Sequence, residues 1–325
     1  MNRDLSVITV CMNRQHHLLA SAQRVAAWPH HQEHLVLDWS SHDPLKRSQL
    51  PDDPRIRLER VEGEERWNLC RAYNFAAQLA RGSLLLKLDA DCWPEDLDPV
   101  AYFADGYERC WFGSGLDGRL GQFLMARESF EAVGGLNEVL VGYGFDDKDL
   151  KARLQSLNYS VQLMPEAAIG VIPHSIHERV SRLQAPQLKS TALENSLSFA
   201  LHRATAMSNR VAAAHMPWTA QRSGSRYECV AAGLWRCDPS TIPKFDGLAA
   251  AELKHLRRQV FWSRFLELPD LHVKMLPVKL LPPDHEGNFA IRSWHWLYWH
   301  TLRRLLRIPV DLLVLFKGCL RRPHP

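Results

Sequence analysis

The 325-residue sequence has no run of about eighteen consecutive apolar residues, so no segment is expected to cross a bilayer as a helix. It has no G-K-[ST] phosphate loop, and no G-x-G-x-x-G loop follows its first strand-like segment, which counts against a dehydrogenase and a nucleotide hydrolase alike. Its seven cysteines form no C-x-x-C pair and are odd in number, so a reducing compartment is expected rather than a disulfide framework. Met1-Asn2-Arg3-Asp4-Leu5 runs into a strand-like segment with no apolar leader, from which neither a secretory signal nor an N-terminal anchor is expected, and the location is expected to be cytoplasmic. An excess of charge of either sign is also lacking. A formal net charge of +4 permits contact with phosphates or an anionic surface without calling for nucleic acid.

What is present, 46% hydrophobic and 23% charged residues, is the composition of a folded soluble chain long enough to bury a large core. The eleven tryptophans suit stacking platforms or interfacial anchors as well as core packing. The most informative stretch is Leu84-Leu85-Leu86-Lys87-Leu88-Asp89-Ala90-Asp91, an apolar run ending in two carboxylates. It reads as a buried strand whose carboxyl end opens into a cleft. Period-two alternation lets Asp89 and Asp91 point the same way. In an open α/β sheet that end is where ligands bind, and two carboxylates there can hold a hard cation and, through it, a phosphate. The competing reading of D-x-D is a cap or a solvated turn.

Upstream, LSVITVC (5–11) is a first central strand ending at Met12-Asn13-Arg14, followed by helical spacing from His17 to Ala27 that Pro29 stops. His34 to Leu37 is a second strand, closed by Asp38-Trp39-Ser40-Ser41. Strand, helix and strand in this order imply a βαβ unit with a parallel sheet. Asp38 is then at the ligand end of a strand, where it either accepts hydrogen bonds from a base or ribose or caps its own turn. Ile56 to Val61 reads as a short edge-type strand. A helix from Trp67 to Ala80 carries Arg71, which either reaches a phosphate or is an ordinary helix arginine. Cys92 to Glu95 reads as a turn out of the sheet. Residues 97–121, rich in glycine and bearing Trp111 and Phe112, read as a ligand-lining loop.

A second concentration of chemistry lies in LNEVLVGYGFDDKDL (136–150). Gly142, Tyr143 and Gly144 imply a bent backbone with an aromatic wall, and Asp146, Asp147 and Asp149 crowd the start of a helix. One carboxylate is explained as a cap. The others, as adjacent like charges beside a cleft, are candidates for a general base. After a further strand, His174 and His177 can each offer an imidazole to a divalent metal, or be ordinary solvated histidines.

These residues resemble the family 2 type nucleotide-sugar glycosyltransferases of the GT-A fold, with a C-terminal half similar to the β-1,4-galactosyltransferases and chondroitin-polymerase type enzymes. The resemblance runs from Leu5 to about Arg179. It rests on LVLDWSSHD (35–43), LKLDAD (86–91) and, most specifically, FEAVGGLNEVLVGYGFDDKDLKARL (130–154). It implies an α/β GT-A (Rossmann-like) fold with a mixed, mostly parallel sheet flanked by helices and a mainly helical C-terminal extension. The implied domains are a catalytic domain at 1–180, with its nucleotide-sugar side at 1–95 and acceptor side at 110–180, and an extension at 181–325. The implied activity is a metal-dependent, inverting transfer from a nucleotide sugar, UDP-linked by the resemblance, to a glycan or glycolipid hydroxyl. Mn²⁺ or Mg²⁺ is the implied cofactor. Asp147 would be the base and Asp146 would orient the acceptor beside Tyr143 and Trp111. Asp91 and His174 would bind metal, with His177 the competitor. Asp89 would approach the ribose or the metal's water shell, and Asp38, Arg71 and Asn13 would complete the nucleotide side.

Alternatives from other classes are a nucleotidyltransferase, for which Leu5 to His17 lacks the glycine-rich triphosphate loop, and a non-catalytic carbohydrate-binding module. Beyond Arg179 helical spacing dominates from Lys189 to Ala214 and from Gly247 to Leu266, Met216 to Ser240 reads as a connector, and Asn195 and Asn209 have no evident role. The tail from Ile291 to Pro325 combines aromatics, short apolar runs and six arginines or lysines from Arg303 onward against one acid, Asp311. It suits either the surface of an anionic membrane or packing and dimerisation.

Overall fold

The structure, a computed structural model, describes residues 4–115, 118–142, 144–173, 209–210, 212–214 and 216–244, with isolated helical positions at 202, 205, 206, 301, 305, 308, 309, 312, 313 and 316. Tyr143, His174, His177 and the 247–266 segment lie outside the described residues, as does most of 291–325. The chain divides into two compact units: 1–174 with 182–184 and 209–250, and 175–181 with 185–208 and 251–325. Residues 209–250 thus belong with the first unit, although in sequence they follow the expected boundary at 180.

The first unit begins with β1 (Leu5–Cys11), α1 (Gln15–Ala27) and β2 (Glu33–Trp39). Both strands are buried at all seven positions, which is why they read as continuous apolar runs: helices cover both faces of a parallel sheet. β3 (Ile56–Glu62) leads to α2 (Leu69–Leu79), whose N-cap Asn68 accepts a hydrogen bond from Arg71 N at 3.0 Å. The fully buried Ala72 and Ala76 let α2 lie close against the sheet. β4 (Leu84–Asp89) follows. Its Leu84, Leu86 and Leu88 join Leu5 and Val7 in one core cluster, each buried leucine contributing ~1.5–3 kcal/mol.

Then come β5 (Cys92–Pro94), α3 (Pro99–Tyr102), β6 (Arg109–Phe112), β7 (Phe123–Ala126), α4 (Arg127–Ala132), α5 (Asp146–Ser156), β8 (Ser160–Leu163), β9 (Ile169–Val171), β10 (Tyr227–Ala231) and β11 (Leu234–Cys237). The nine-stranded sheet has the order β10-β11-β3-β2-β1-β4-β7-β6-β8. β1 pairs in parallel with β2 and β4, β2 with β3, β3 with β11 and β6 with β8; β7 runs antiparallel to β4 and β6, and β10 to β11. This is the expected mixed, mostly parallel sheet of an α/β fold.

Several local expectations are corrected. β3 is interior, because 216–240 is no plain connector: it holds the β10–β11 hairpin, which turns at Gly233 with φ 72° and extends the sheet. Cys92 to Pro94 does not simply leave the sheet but pairs with β9 in a second, two-stranded sheet. The stretch read as a ligand-lining loop contains α3 and β6. Phe112 is fully buried, and Trp111 packs on the core with its indole N–H donating to the Tyr102 carbonyl at 2.9 Å. Trp111 is therefore a packing residue, partly buried against the core.

Candidate active site

Because β1, β2 and β4 are parallel, their carboxyl ends bring the segments after Cys11, Trp39 and Asp89 to one edge of the sheet. The first two of these segments are laced together. Asn13 and Ser40 adopt left-handed backbone, φ 58° and 52°. Asn13 N donates to Ser41 Oγ at 3.0 Å, and His42 N donates to Asn13 Oδ1 at 2.8 Å. Asp38 is fully buried beneath them, accepting from Ser41 N at 3.0 Å, Leu45 N at 3.1 Å and the Arg60 guanidinium. Both of its oxygens organise the loop, which is the capping one of its two expected roles, and Asp38 and Asn13 build that edge.

Arg71 takes the structural one of its two expected roles. It is 6% exposed and its guanidinium is taken up by Glu64, Ser225 Oγ at 3.0 Å and Cys237 Sγ at 3.0 Å, so it clamps α2 to the hairpin instead of facing a phosphate. Glu138 and Asn74 continue this clamp. Asn74 Nδ2 donates to Glu138 Oε1 at 2.9 Å, and Glu138 Oε2 accepts from both the amide and the hydroxyl of Ser225 at 2.7 Å.

At the end of β4, Asp89 is held on both carboxylate oxygens. Oδ1 lies 2.6 Å from Lys87 Nζ and 3.2 Å from the Tyr73 hydroxyl, and Oδ2 accepts from Gln122 Nε2 at 2.8 Å. Gln122 also accepts from Asp89 N at 2.8 Å and donates to the Gly118 carbonyl at 2.7 Å. Burial alone would raise the Asp89 pKa, but Lys87, Gln122 and Tyr73 together hold it below the usual carboxylate value. Gln122 and Lys87 carried no recognisable signal; a polar residue opening a strand and a lysine inside an apolar run are the only traces they leave. Asp91 stands past the strand, half-buried on the turn, where its carbonyl accepts from Ile172 N at 2.8 Å and the Cys92 thiol lies 3.8 Å from Oδ1.

The acidic helix α5 approaches from the other side and contacts the single turn at Arg119–Gly121, just ahead of Gln122. Its entry is bent: Gly142 and Gly144 have φ 70° and 109°, and the N-cap Phe145 has φ 80°, a costly conformation for a bulky residue that the surrounding structure must enforce. Asn209, buried at 1% exposure, supplies part of that enforcement through bonds to Val141 and Gly144.

The three aspartates in the first turn of α5 differ. Asp149 pairs with Arg153 at 2.8 Å, and Arg153 in turn donates to the Val133 and Gly135 carbonyls at 2.7 Å, so Asp149 serves the fold. Asp147 lies 3.4 Å from Lys151, whose ammonium sits 4.7 Å from the centre of the Phe112 ring. Asp146 has its pKa raised to about 6, by burial first and by Asp147 second, with Lys87 opposing and Asp89 adding to the rise. The turn that α5 contacts also lies against the end of β4, since a Cβ at Gly121 would stand 3.6 Å from Lys87 Nζ and 3.9 Å from Asp89 Oδ2.

Both oxygens of Asp89 are thus engaged within the protein, and Asp91 follows it on the turn. Among the described residues no cluster of three His, Cys, Asp or Glu side chains is arranged to hold a metal ion.

A sequence profile described as the N-terminal domain of galactosyltransferase matches residues 112–178. No curated protein sequence matches the chain. Among solved structures, the chain is similar to the mannosyltransferase PcManGT from Pyrobaculum calidifontis in complex with GDP-Man and Mn²⁺, at 13% identity over 81% of this chain and 71% of that one, TM-score 0.47. It is similar to glucosyl-3-phosphoglycerate synthase from Mycobacterium tuberculosis, at 14% identity over 70% and 85%, TM-score 0.44. It is also similar to the catalytic domain of Drosophila beta1,4galactosyltransferase 7 in complex with xylobiose, at 12% identity over 75% and 95%, TM-score 0.45. The stretch similar to galactosyltransferase sequences thus begins at the end of β6 and contains the whole of the acidic helix α5 and strand β9.

Proposed function

We propose that the chain is a glycosyltransferase that moves a sugar from a nucleotide diphosphate sugar to a hydroxyl of a glycan or glycolipid acceptor, with inversion at the anomeric carbon. The observation that carries this reading is that α5, which opens with Asp146 and Asp147, contacts the Arg119–Gly121 turn beside the Lys87–Asp89 end of β4, which supports a base working near a strand end suited to a diphosphate. The galactosyltransferase profile over 112–178 supports it independently.

In this reading the acceptor oxygen attacks the anomeric carbon as its proton passes to the Asp147 carboxylate, and the bond from that carbon to the diphosphate oxygen breaks. Asp146, whose carboxyl titrates near 6, orients the acceptor sugar through hydrogen bonds. A divalent cation, Mn²⁺ or Mg²⁺, would be held by Asp91 and, when bound, neutralises charge on the diphosphate leaving group. Asp38, Asn13 and Arg60 keep the loops after β1 and β2 in place as the wall on the nucleotide side.

The test is a panel of nucleotide sugars incubated with the protein, with and without Mn²⁺, scored for release of the nucleoside diphosphate. Turnover of at least one donor that requires the cation and disappears in Asp91→Ala is expected. No turnover of any donor, together with no binding of any nucleoside diphosphate, would favour a carbohydrate-binding module instead.

A further inference from the structure

Large apolar side chains exposed one at a time are ordinary on a protein surface, whereas several on one helix face call for an occupant. Among the described residues eleven large apolar side chains are exposed, and five of them, Leu305, Ile308, Leu312, Leu313 and Phe316, fall within a stretch of twelve residues. The other six are scattered from Val100 to Val230. All five occupy helical positions. Their spacing of three and four residues puts them on one face, within an arc of roughly 140° at 3.6 residues per turn. Leu305, Leu312, Leu313 and Phe316 are each more than 60% exposed.

The sequence that bears this face is strongly cationic. Residues 303–322 contain Arg303, Arg304, Arg307, Lys317, Arg321 and Arg322 against one acid, Asp311, a formal +5 in a chain whose total is +4. The rest of the chain therefore sums to −1, and the excess positive charge is concentrated here. Just upstream the sequence places Trp294, Trp296, Tyr298 and Trp299, residue types that favour the boundary between lipid headgroups and acyl chains.

We propose that the face from Leu305 to Phe316 rests on the surface of an anionic membrane, its apolar side chains entering the boundary between headgroups and acyl chains while the neighbouring cations meet lipid phosphates. Charge selects this occupant. A second copy of the same segment would bring six cations against six, and the remainder of the chain, at −1, offers little to balance them. A nucleic acid would take up the cations and leave the leucines and Phe316 in water. An anionic bilayer takes both. Length sets the mode of contact: a helix from residue 305 to 316 rises about 17 Å, little more than half of the ~30 Å hydrocarbon layer, so it lies along the surface. No helix among the described residues is long and apolar enough to cross a membrane. The binding is independent of the transferase chemistry proposed above.

Flotation of the full chain with vesicles tests it. The protein should float with an equimolar mixture of phosphatidylglycerol and phosphatidylcholine and at least about ten-fold less with phosphatidylcholine alone, and recovery should fall as salt shortens the Debye length from ~10 Å at 0.1 M toward ~3 Å at 1 M. Leu312→Glu/Phe316→Glu should abolish recovery, and Arg321→Gln/Arg322→Gln should lower the partition coefficient by at least about ten-fold, both without moving the thermal transition. Absence of flotation with the anionic vesicles overturns the proposal, as does equal recovery with phosphatidylcholine alone or unchanged recovery of the two variants. A transition lowered by Leu312→Glu/Phe316→Glu would show that the face packs within the fold. Self-association of the wild type in sedimentation, lost in the same variant, would assign the face to a second copy; either result overturns the membrane role.

Discussion

The side chain of Asn209 pairs with the backbone of Val141 in both directions, accepting from its N–H at 3.0 Å and donating to its carbonyl at 2.9 Å. The same amide nitrogen donates to the Gly144 carbonyl at 2.8 Å. Asn209 thus brackets the bend at 142–144 and imitates a strand partner for a segment that has none among the described residues. Asn209→Ala should destabilise the fold by about 1–3 kcal/mol, because buried backbone groups lose their partners. It should also raise hydrogen exchange at residues 141–146 and lower turnover more than donor affinity. Denaturant unfolding and exchange mass spectrometry check this; unchanged exchange at 141–146 would contradict it.

Asp146 carries a stability cost that its neutral analogue lacks. A carboxyl whose folded pKa is raised from 3.8 to about 6 favours the fold below the lower value and loses that benefit as pH climbs through the higher one. Asp146→Asn should therefore stabilise the protein by about 1–3 kcal/mol at pH 7.5, with the gain shrinking toward pH 4, while impairing transfer. Thermal melts at the two pH values decide it, and an equal effect at both would sink the assignment.

Two buried histidines set an acid limit. Burial, with the Arg55 charge second, lowers His31 to about 4, and burial, with His31 second, lowers His34 to about 3, from 6.5. Both stay neutral in the fold but protonate in the unfolded chain below pH 6.5, so stability falls as pH drops from there toward the folded values. The expected slope is roughly 1.4 kcal/mol per pH unit for each histidine. His34→Gln should remove about half of the histidine-linked loss between pH 6.5 and 5, a window in which Asp146 contributes a gain of opposite sign. A denaturation series across that window measures it.

Arg71 tests the reassignment of a residue from substrate to scaffold. Arg71→Met should cost about 2–4 kcal/mol by leaving Glu64 buried without its partner, and Arg71→Met/Glu64→Gln should recover part of that loss. Affinity for uridine diphosphate should change little in either variant, as calorimetry on the folded proteins will show. A large loss of nucleotide affinity with unchanged stability would restore the phosphate role.

The α/β framework was legible because its signals are local. LSVITVC and LLLKLD are buried on both faces and read as strands, while small residues at Ala72 and Ala76 marked a helix lying against the sheet. The hairpin at 227–237 was missed because β10 is mostly exposed and shows no clean alternation, although Ala232-Gly233 marks its turn. Trp111 and Phe112 misled because the glycines around them suggested a loop, whereas β6 passes through the core. Asp38 and Arg71 were recognised as special, but the partners that absorb them, Arg60 and Glu64, lie 22 and 7 residues away and follow from tertiary packing alone. Gln122 meets Asp89, and Asn209 meets Val141 and Gly144, through such distant contacts.

The central claim is tested most directly by following donor binding and sugar transfer on one sample of Asp147→Asn, using whichever nucleotide sugar the wild type turns over. The substitution removes the base and leaves the end of β4 untouched. Donor affinity should stay within about three-fold of wild type while the transfer rate falls by at least about a hundred-fold. Transfer at the wild-type rate by Asp147→Asn would contradict the account.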